Sequence, residues 1–239
     1  MKQVIWIITL LFSFHLATAQ EGWESGGWLG ASHYFGDLNT NFNLDAPGIA
    51  GGVVFRYNFN ERISLKFSGN FANVSADDAN SSNIFERSRN LNFQSLIWDG
   101  TSQLEFNFMP FVHGSADEFF TPYLFGGFTV YNFNPQTEYR GELIELRPLG
   151  TEGQFRGEEY YSTQIGMAYG GGIKLSLNYV WSINIELSGR LLFSDYLDDV
   201  STSYADPDEI ENLRGPEAAA LSNRSIPVLG VEELPTVGR

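Results

Sequence analysis

From Trp181 to Phe193 the chain alternates with a period of two. Trp181, Ile183, Ile185, Leu187, Gly189, Leu191 and Phe193 occupy odd positions, and Ser182, Asn184, Glu186, Ser188 and Arg190 lie between them. Only extended backbone sends successive side chains to opposite faces, so such a run is a strand with one apolar and one polar side. The pattern recurs. Ile63, Leu65, Phe67 and Phe71 oppose Ser64, Lys66, Ser68 and Asn70, and Val53, Phe55, Tyr57 and Phe59 oppose Arg56 and Asn58. Between Ile165 and Leu177 the apolar set Ile165, Met167, Tyr169, Ile173, Leu175 and Leu177 opposes Gly166, Ala168, Gly170, Gly172, Lys174 and Ser176. Leu104, Phe106 and Phe108 alternate with Gln103, Glu105 and Asn107, while Trp23–Tyr34 and Tyr123–Phe133 are strand-like with a weaker alternation. Seven strands are expected.

Their connections alternate in length. Asn58–Arg62, Val112–Thr121 and Leu177–Val180 are the short ones; Gly36–Pro47, Ser75–Asn90, Pro135–Tyr160 and everything after Asp195 are long. Short turns at one end and long loops at the other, with aromatic residues near the strand ends, mark a transmembrane barrel rather than a soluble sandwich, whose strands average about 5–6 residues. A single-chain bacterial barrel needs an even strand number. Residues 195–239 read instead as loop and short helix: Asp206 is an N-cap, Pro207 the first helical residue, Gly215 a stop, and Pro216–Asn223 a further turn or two. The expectation is an all-β fold, an eight-stranded antiparallel transmembrane β-barrel with short periplasmic turns and long outer loops, its eighth strand lying beyond Arg239. An open sheet in lipid would leave edge groups unpaired at several kcal/mol each.

The N-terminus supplies the export route. Lys2, the apolar run Val4–Leu16 and Ala17-Thr18-Ala19 form a signal-peptide pattern over residues 1–19, too short for an ordinary membrane anchor and leaving 20–239 as one barrel domain. Composition then becomes intelligible. The 239 residues carry a net charge of −15, yet 15% are aromatic and only 18% charged. Without Lys2 the charge is −16, and residues 36–47, 75–90, 135–160 and 195–239 together hold −13 of it. A lipid-facing aromatic wall under an acidic cap, its loop acids expected to be mostly solvated, satisfies both facts. The acidity argues against nucleic acid, and the absence of cysteine excludes a thiol nucleophile, a zinc–cysteine site, a disulfide framework and a lipidated cysteine.

Several segments, in their order and spacing, resemble a known family. They are Tyr34-Phe35-Gly36-Asp37-Leu38-Asn39, Phe55-Arg56-Tyr57-Asn58-Phe59-Asn60, Arg89-Asn90-Leu91-Asn92-Phe93 and Glu105-Phe106-Asn107-Phe108. Thr121-Pro122-Tyr123, Pro148-Leu149-Gly150-Thr151-Glu152-Gly153-Gln154 and Asp195-Tyr196-Leu197-Asp198-Asp199-Val200-Ser201 continue the series. Together, from about Trp28 to Asn223, they resemble the PorG-like outer-membrane proteins of the type IX secretion system. The resemblance implies an eight-stranded barrel that holds a periplasmic ring of the PorK lipoprotein and PorN at the outer membrane, without a cofactor.

If the apolar faces meet lipid, Arg56, Lys66, Asp99, Glu105, Lys174, Glu186 and Arg190 share one interior. An eight-stranded barrel is just wide enough for side chains to fill, so these charges are expected to pair and to leave no open channel. Contact with the ring is expected at the short turns: Asn60 and Glu61; Asp117, Glu118, Phe119 and Phe120; Asn178 and Tyr179. Phe119 and Phe120 suit either a partner or the membrane interface. No enzyme is expected, because His33 and His113 fall at opposite ends, although His33 with Asp37 and a loop serine is a conceivable hydrolase set. Asp195, Asp198 and Asp199 are a weak candidate for a hard cation, against a loop root in which carboxylates accept backbone hydrogen bonds. Arg87 and Arg89 are expected to pair within the loops rather than with lipopolysaccharide phosphate. Gly170-Gly171-Gly172 falls inside a strand, where close packing explains it better than phosphate binding. The alternatives are a small OmpX-like structural or adhesive barrel, and a lipid-modifying barrel hydrolase.

Overall fold

The computed structural model describes residues 22–39, 46–200 and 206–226. The segment read as a signal peptide and the closing strand expected after Arg239 lie outside the described residues. Each of the seven alternating runs is a strand: β1 (Gly22–Ser32), β2 (Gly48–Asn58), β3 (Ile63–Asp77), β4 (Asn92–Asn107), β5 (Phe120–Asn132), β8 (Thr163–Ser176) and β9 (Ser182–Leu192). They form one antiparallel sheet in the order β1-β2-β3-β4-β5-β8-β9. β6 (Pro135–Tyr139) and β7 (Glu142–Glu145) make a hairpin that extends the far end of β4 through Gln94–Gln136 and Ser95–Pro135.

The sheet curls. Lys66 on β3 reaches Glu186 on β9 at 2.5 Å, four places away in the strand order. Four places is half the circumference of an eight-stranded cylinder, so this bond crosses a lumen. Because direction alternates along the order, β1 and β9 run the same way and cannot become antiparallel neighbours. Among the described residues they do not pair.

Burial is inverted relative to a water-soluble sheet. The convex face carries Val53, Phe55, Phe67, Leu104, Phe106, Leu124, Phe128, Val130, Ile165 and Ile185, all exposed, with Leu187 at 84%. The concave face is polar and buried: Arg56, Ser64, Lys66, Asn70, Thr101, Gln103, Glu105, Thr129 and Lys174. β5 breaks the rule inward, since Tyr123 and Phe125 also point into the lumen and are buried. β8 makes room for them. A Cβ on Gly170 would stand 2.6 Å from the Phe125 ring, and one on Gly172 3.0 Å from the Tyr123 ring. That is the packing role of the glycine run.

The apolar core lies at the long-loop end. Tyr34, Leu38, Val74, Ala76, Phe93, Leu146, Val200 and Leu221 cluster there, with Leu91, Ile97, Tyr139, Ile144, Leu149 and Leu197 around them. The long connections are therefore a packed cap, not the solvated acidic loops expected from their charge. Inside them the sequence reading missed the β6–β7 hairpin, whose turn places Arg140 (φ 55°) and Gly141 (φ 84°) in the left-handed region that two-residue hairpins need. It also missed α1 (Ile84–Arg89). Asn83 caps that helix by accepting from the Phe85 N–H, and Asn90 ends it at φ 57°. Two further helices among the described residues are α2 (Pro207–Arg214), where the Asp206 carboxylate accepts from the N–H groups of Asp208 and Glu209, and α3 (Pro216–Ser222). No helix among the described residues is long and apolar enough to cross a membrane.

Candidate functional site

The lumen is built around Glu105, whose side chain is wholly buried. Register explains why it sits there. Arg56 stands directly opposite Lys66 across β2 and β3, a like-charge pair that would be repulsive alone. Glu105 on β4 accepts from Arg56 Nε at 2.8 Å and Nη2 at 3.2 Å, lies 3.5 Å from Lys66 Nζ, and accepts from Lys174 Nζ on β8 at 2.6 Å. Two more carboxylates complete the charge balance. Glu24 on β1 binds Arg56 Nη1 at 2.8 Å, and Glu186 accepts from Lys66 Nζ and from the Tyr123 hydroxyl at 2.7 Å. Three cations and three carboxylates thus fill the middle of the lumen. Lys66 and Lys174 also lie over the Phe125 and Tyr123 rings, at 5.2 and 4.6 Å.

Of the seven interior charges read from the sequence, Arg56, Lys66, Glu105, Lys174 and Glu186 join this network. Asp99 and Arg190 form a second layer nearer the cap, 3.5 Å apart, where Asp99 also accepts from Asn70 at 2.7 Å and Thr101 at 2.6 Å. The sequence reading missed Glu24 and Tyr123 as lumen groups, and it did not foresee that Asn58, on the Arg56 face, donates to Glu24 or that His113 meets the same carboxylate. Glu24 pairs in register with Arg56, but the glycines and serines of β1 hide its alternation.

The short-turn end is closed by the β4–β5 connection, residues 108–119. Its Phe111 N–H donates to Glu61 O at 3.2 Å, its Gly114 N–H to Ser176 Oγ at 3.0 Å, and His113 Nε2 lies 3.0 Å from Glu24. The segment is therefore tied to the first turn, the end of β8 and β1, and it lies across the mouth rather than hanging free. The residues nominated for partner contact all fall at this end, and several shape it. Asn60 Oδ1 accepts from the N–H groups of Arg62 and Ile63, and Asn178 Oδ1 from those of Val180 and Trp181. The Asp117 and Glu118 N–H groups donate to Ser115 Oγ. Tyr179 is 81% exposed and its ring covers Gly114, Phe119 is exposed, and Phe120 opens β5.

At the long-loop end the Asp195, Asp198 and Asp199 trio is not gathered. Asp198 accepts from the Tyr34 hydroxyl and from the Val200 N–H at 3.3 Å; Asp199 accepts from Thr151 Oγ1 at 2.5 Å and from the Tyr160 hydroxyl at 2.6 Å. No group of three metal-type ligands occurs among the described residues. Burial pushes both carboxyls up to about 7, against the lowering effect of those hydroxyl donors, with the charge of Asp37 adding at Asp198 and that of Glu152 at Asp199. Burial and the facing carboxylates raise the Tyr34 and Tyr160 phenols as well. Arg89 makes a buried bidentate pair with Asp78 at 2.8 and 2.7 Å, and Arg87 donates to Ser81 O at 2.8 Å. His33 lies along Phe35, centroids 6.4 Å apart, at the end of the molecule opposite His113.

The family model described as a domain of unknown function (DUF6089) matches residues 2–219. No curated protein matches the sequence. Among solved structures, the chain is similar to Ail, the attachment invasion locus protein of Yersinia pestis, crystallised with the heparin analogue sucrose octasulfate. That likeness is 12% identical, covers 70% of this chain and 82% of Ail, and has a TM-score of 0.35. At that score it adds nothing to what the strands themselves establish.

Proposed function

We propose that this chain, which belongs to the DUF6089 family, is an integral outer-membrane barrel that scaffolds a periplasmic partner rather than conducting or catalysing. One observation carries the membrane reading: the inverted burial of the sheet. Monomers in water rarely expose apolar patches beyond a few hundred Å², and here a whole convex face is apolar. Its height fits. Trp181 to Phe193 spans twelve residue steps on β9 and its flanks, about 40 Å at ~3.3 Å per residue, or ~28 Å at a tilt of ~45°, against a barrel apolar band of about 25 Å. Antiparallel closure between β1 and β9 calls for one further strand running from the long-loop end to the short-turn end.

The finer reading takes its partner from the PorG-like resemblance. On it, the short-turn end is periplasmic and contacts the PorK and PorN ring, and no cofactor or nucleic acid is involved. A lumen filled by balanced charges and covered at both ends suits an anchor better than a conduit. Co-purification in detergent tests it. The full-length protein should bring PorK and PorN with it, and Phe119→Ser with Tyr179→Ser should lose them while still folding. A wild-type protein that brings down neither PorK nor PorN, with a surface phenotype confined to cap variants, would favour the OmpX-like reading, which the packed cap at the long-loop end also fits.

A further inference from the structure

We propose that the long-loop cap is a proton-operated clamp, closed when Asp198 and Asp199 are protonated and loosened when they ionise. The segment after β9 turns back into the cap, with Asp199 held at φ 65°. Its two carboxyls tie this segment to two other parts of the chain: the β1–β2 connection through Tyr34, and the β5–β8 connection through Thr151 and Tyr160. Tyr160 is itself locked in a stack between Phe133 (5.8 Å) and Tyr196 (4.7 Å), so this bond reports on the order of the whole cap.

Among the described residues the side-chain partners of both carboxyls are hydroxyls, and no salt bridge reaches either group. Facing the two groups are the phenols of Tyr34 and Tyr160 and the acids Asp37 and Glu152, while the cation Arg147 lies beside Tyr160 and Arg224 lines the cavity that borders both carboxyls. Arg147 spends its Nε on Tyr160 O at 2.6 Å, and Arg224 donates to Asn92 Oδ1 at 3.3 Å and Thr137 Oγ1 at 2.8 Å. Asp198 and Asp199 have exposures of 3% and 6%, so ionising both places adjacent negative charges in a packed apolar cluster already flanked by acids. A cavity of about 40 Å³ borders both residues, room for a few waters, and gives protons access without opening the cap.

The sign follows from linkage. Both groups have folded-state values raised from 3.8 to about 7. Their contribution to cap closure is complete below about pH 4 and is lost as pH rises through about 7. Within that window each carboxyl changes the opening equilibrium by up to about tenfold per pH unit. Acid tightens the cap and mild alkali frees it.

Hydrogen exchange on the full-length protein in detergent, between pH 5 and 8, tests this. The reporters are the N–H groups of Leu149, Gly153 and Asp199, bonded to Leu146 O, Gly150 O and Tyr196 O, with β3–β4 ladder amides as the control. After correction for intrinsic exchange, reporter protection should fall by at least about tenfold from pH 5 to pH 8 while the control stays level. Asp198→Asn with Asp199→Asn should keep high protection at both pH values. A pH dependence that survives in this variant, or protection that rises with pH, would overturn the proposal. So would calcium restoring wild-type protection at pH 8, because the carboxylates would then be cation ligands. Should the double variant fail to fold, Tyr34→Phe serves: it removes a donor that favours the ionised form, so the opening midpoint should move to higher pH, and an unmoved midpoint would refute the clamp.

Discussion

Replacing Glu105 by Gln probes the middle of the lumen with almost no change of shape. The wild-type side chain accepts two bonds from Arg56 and one from Lys174, with Lys66 at 3.5 Å, and none of it is exposed. Gln removes one negative charge from a balanced set of six and turns an amide donor toward groups that are themselves donors. Breaking a buried ion pair by removing one partner costs about 3–5 kcal/mol. With a urea slope of about 2 kcal/mol/M, the unfolding midpoint in detergent should fall by roughly 1.5–2.5 M. The shift in gel mobility between the folded and the heat-unfolded barrel would follow the same loss. The second step separates charge from packing. Glu105→Gln with Lys174→Met restores the balance, with two cations facing Glu24 and Glu186, and should recover at least half of the lost stability. A single variant within about 1 kcal/mol of wild type, or a double variant no better than the single, would show that water, and not this network, screens the interior.

Other substitutions test other layers. Gly170→Ala would drive a Cβ against Leu187 O and the Phe125 ring and should cost about 1–3 kcal/mol in the same urea assay, whereas Gly100→Ala, with nothing within 4 Å, should change it by less than about 0.5 kcal/mol. Leu187→Arg, mid-way up the exposed wall, should lower stability in liposomes by about 2–4 kcal/mol; a neutral result would mean that this face meets water. Arg214 holds α2 to the β5–β8 connection through Gln154 O at 2.6 Å and Glu159 at 2.8 Å, so Arg214→Ala should speed proteolysis of the cap without unfolding the wall. Hydrogen bonds from Arg214 and from backbone N–H groups depress Glu159 from 4.5 to about 2, so its contribution is present above pH 4.5 and is lost as pH falls toward 2. Cap proteolysis should therefore be slowest between about pH 4.5 and 6, where this contact and the protonated aspartates both hold.

The seven wall strands were legible because an apolar convex face and a polar concave face impose a period of two that no other constraint blurs. Where a strand serves a second purpose the signal fades. β5 turns Tyr123 and Phe125 inward, and only the matching glycines of β8 show why that is tolerated. The cap was misread for a different reason. Its acidity suggested solvation, but the acids divide between exposed positions and buried ones whose partners are far away in sequence, as Asp198 and Tyr34 are. The signals of local structure were present in Asn83 with Glu86 and in Arg140-Gly141, each too short to stand out within a long polar stretch. Charge sign placed five of the seven lumen residues in one network, but it could not place Asp99 and Arg190 a layer higher, since height within a barrel depends on strand stagger rather than on composition.

The way the lumen is filled bears on what the molecule does. Closure is achieved three times over: by residues 108–119 at the short-turn mouth, by the Glu105 network in the middle, and by the apolar cluster of the cap. Each uses different physics, respectively hydrogen bonding, ion pairing and apolar packing, so no single change of pH, salt or partner opens all of them together. A conduit built this way would need three coordinated rearrangements. A rigid body needs none, and its contacts with other molecules fall to its two ends and its wall. The two ends differ in kind. At the short-turn end the exposed Phe119 stands on a segment tied to the first turn and to β8, and the exposed Tyr179 of the third turn covers Gly114 of that segment, a stiff surface that loses little entropy on binding. The other end carries carboxyls whose protonation sets its order. On the proposed reading the stiff end is the one that holds a partner, and the titratable end is the one free to respond to the medium outside.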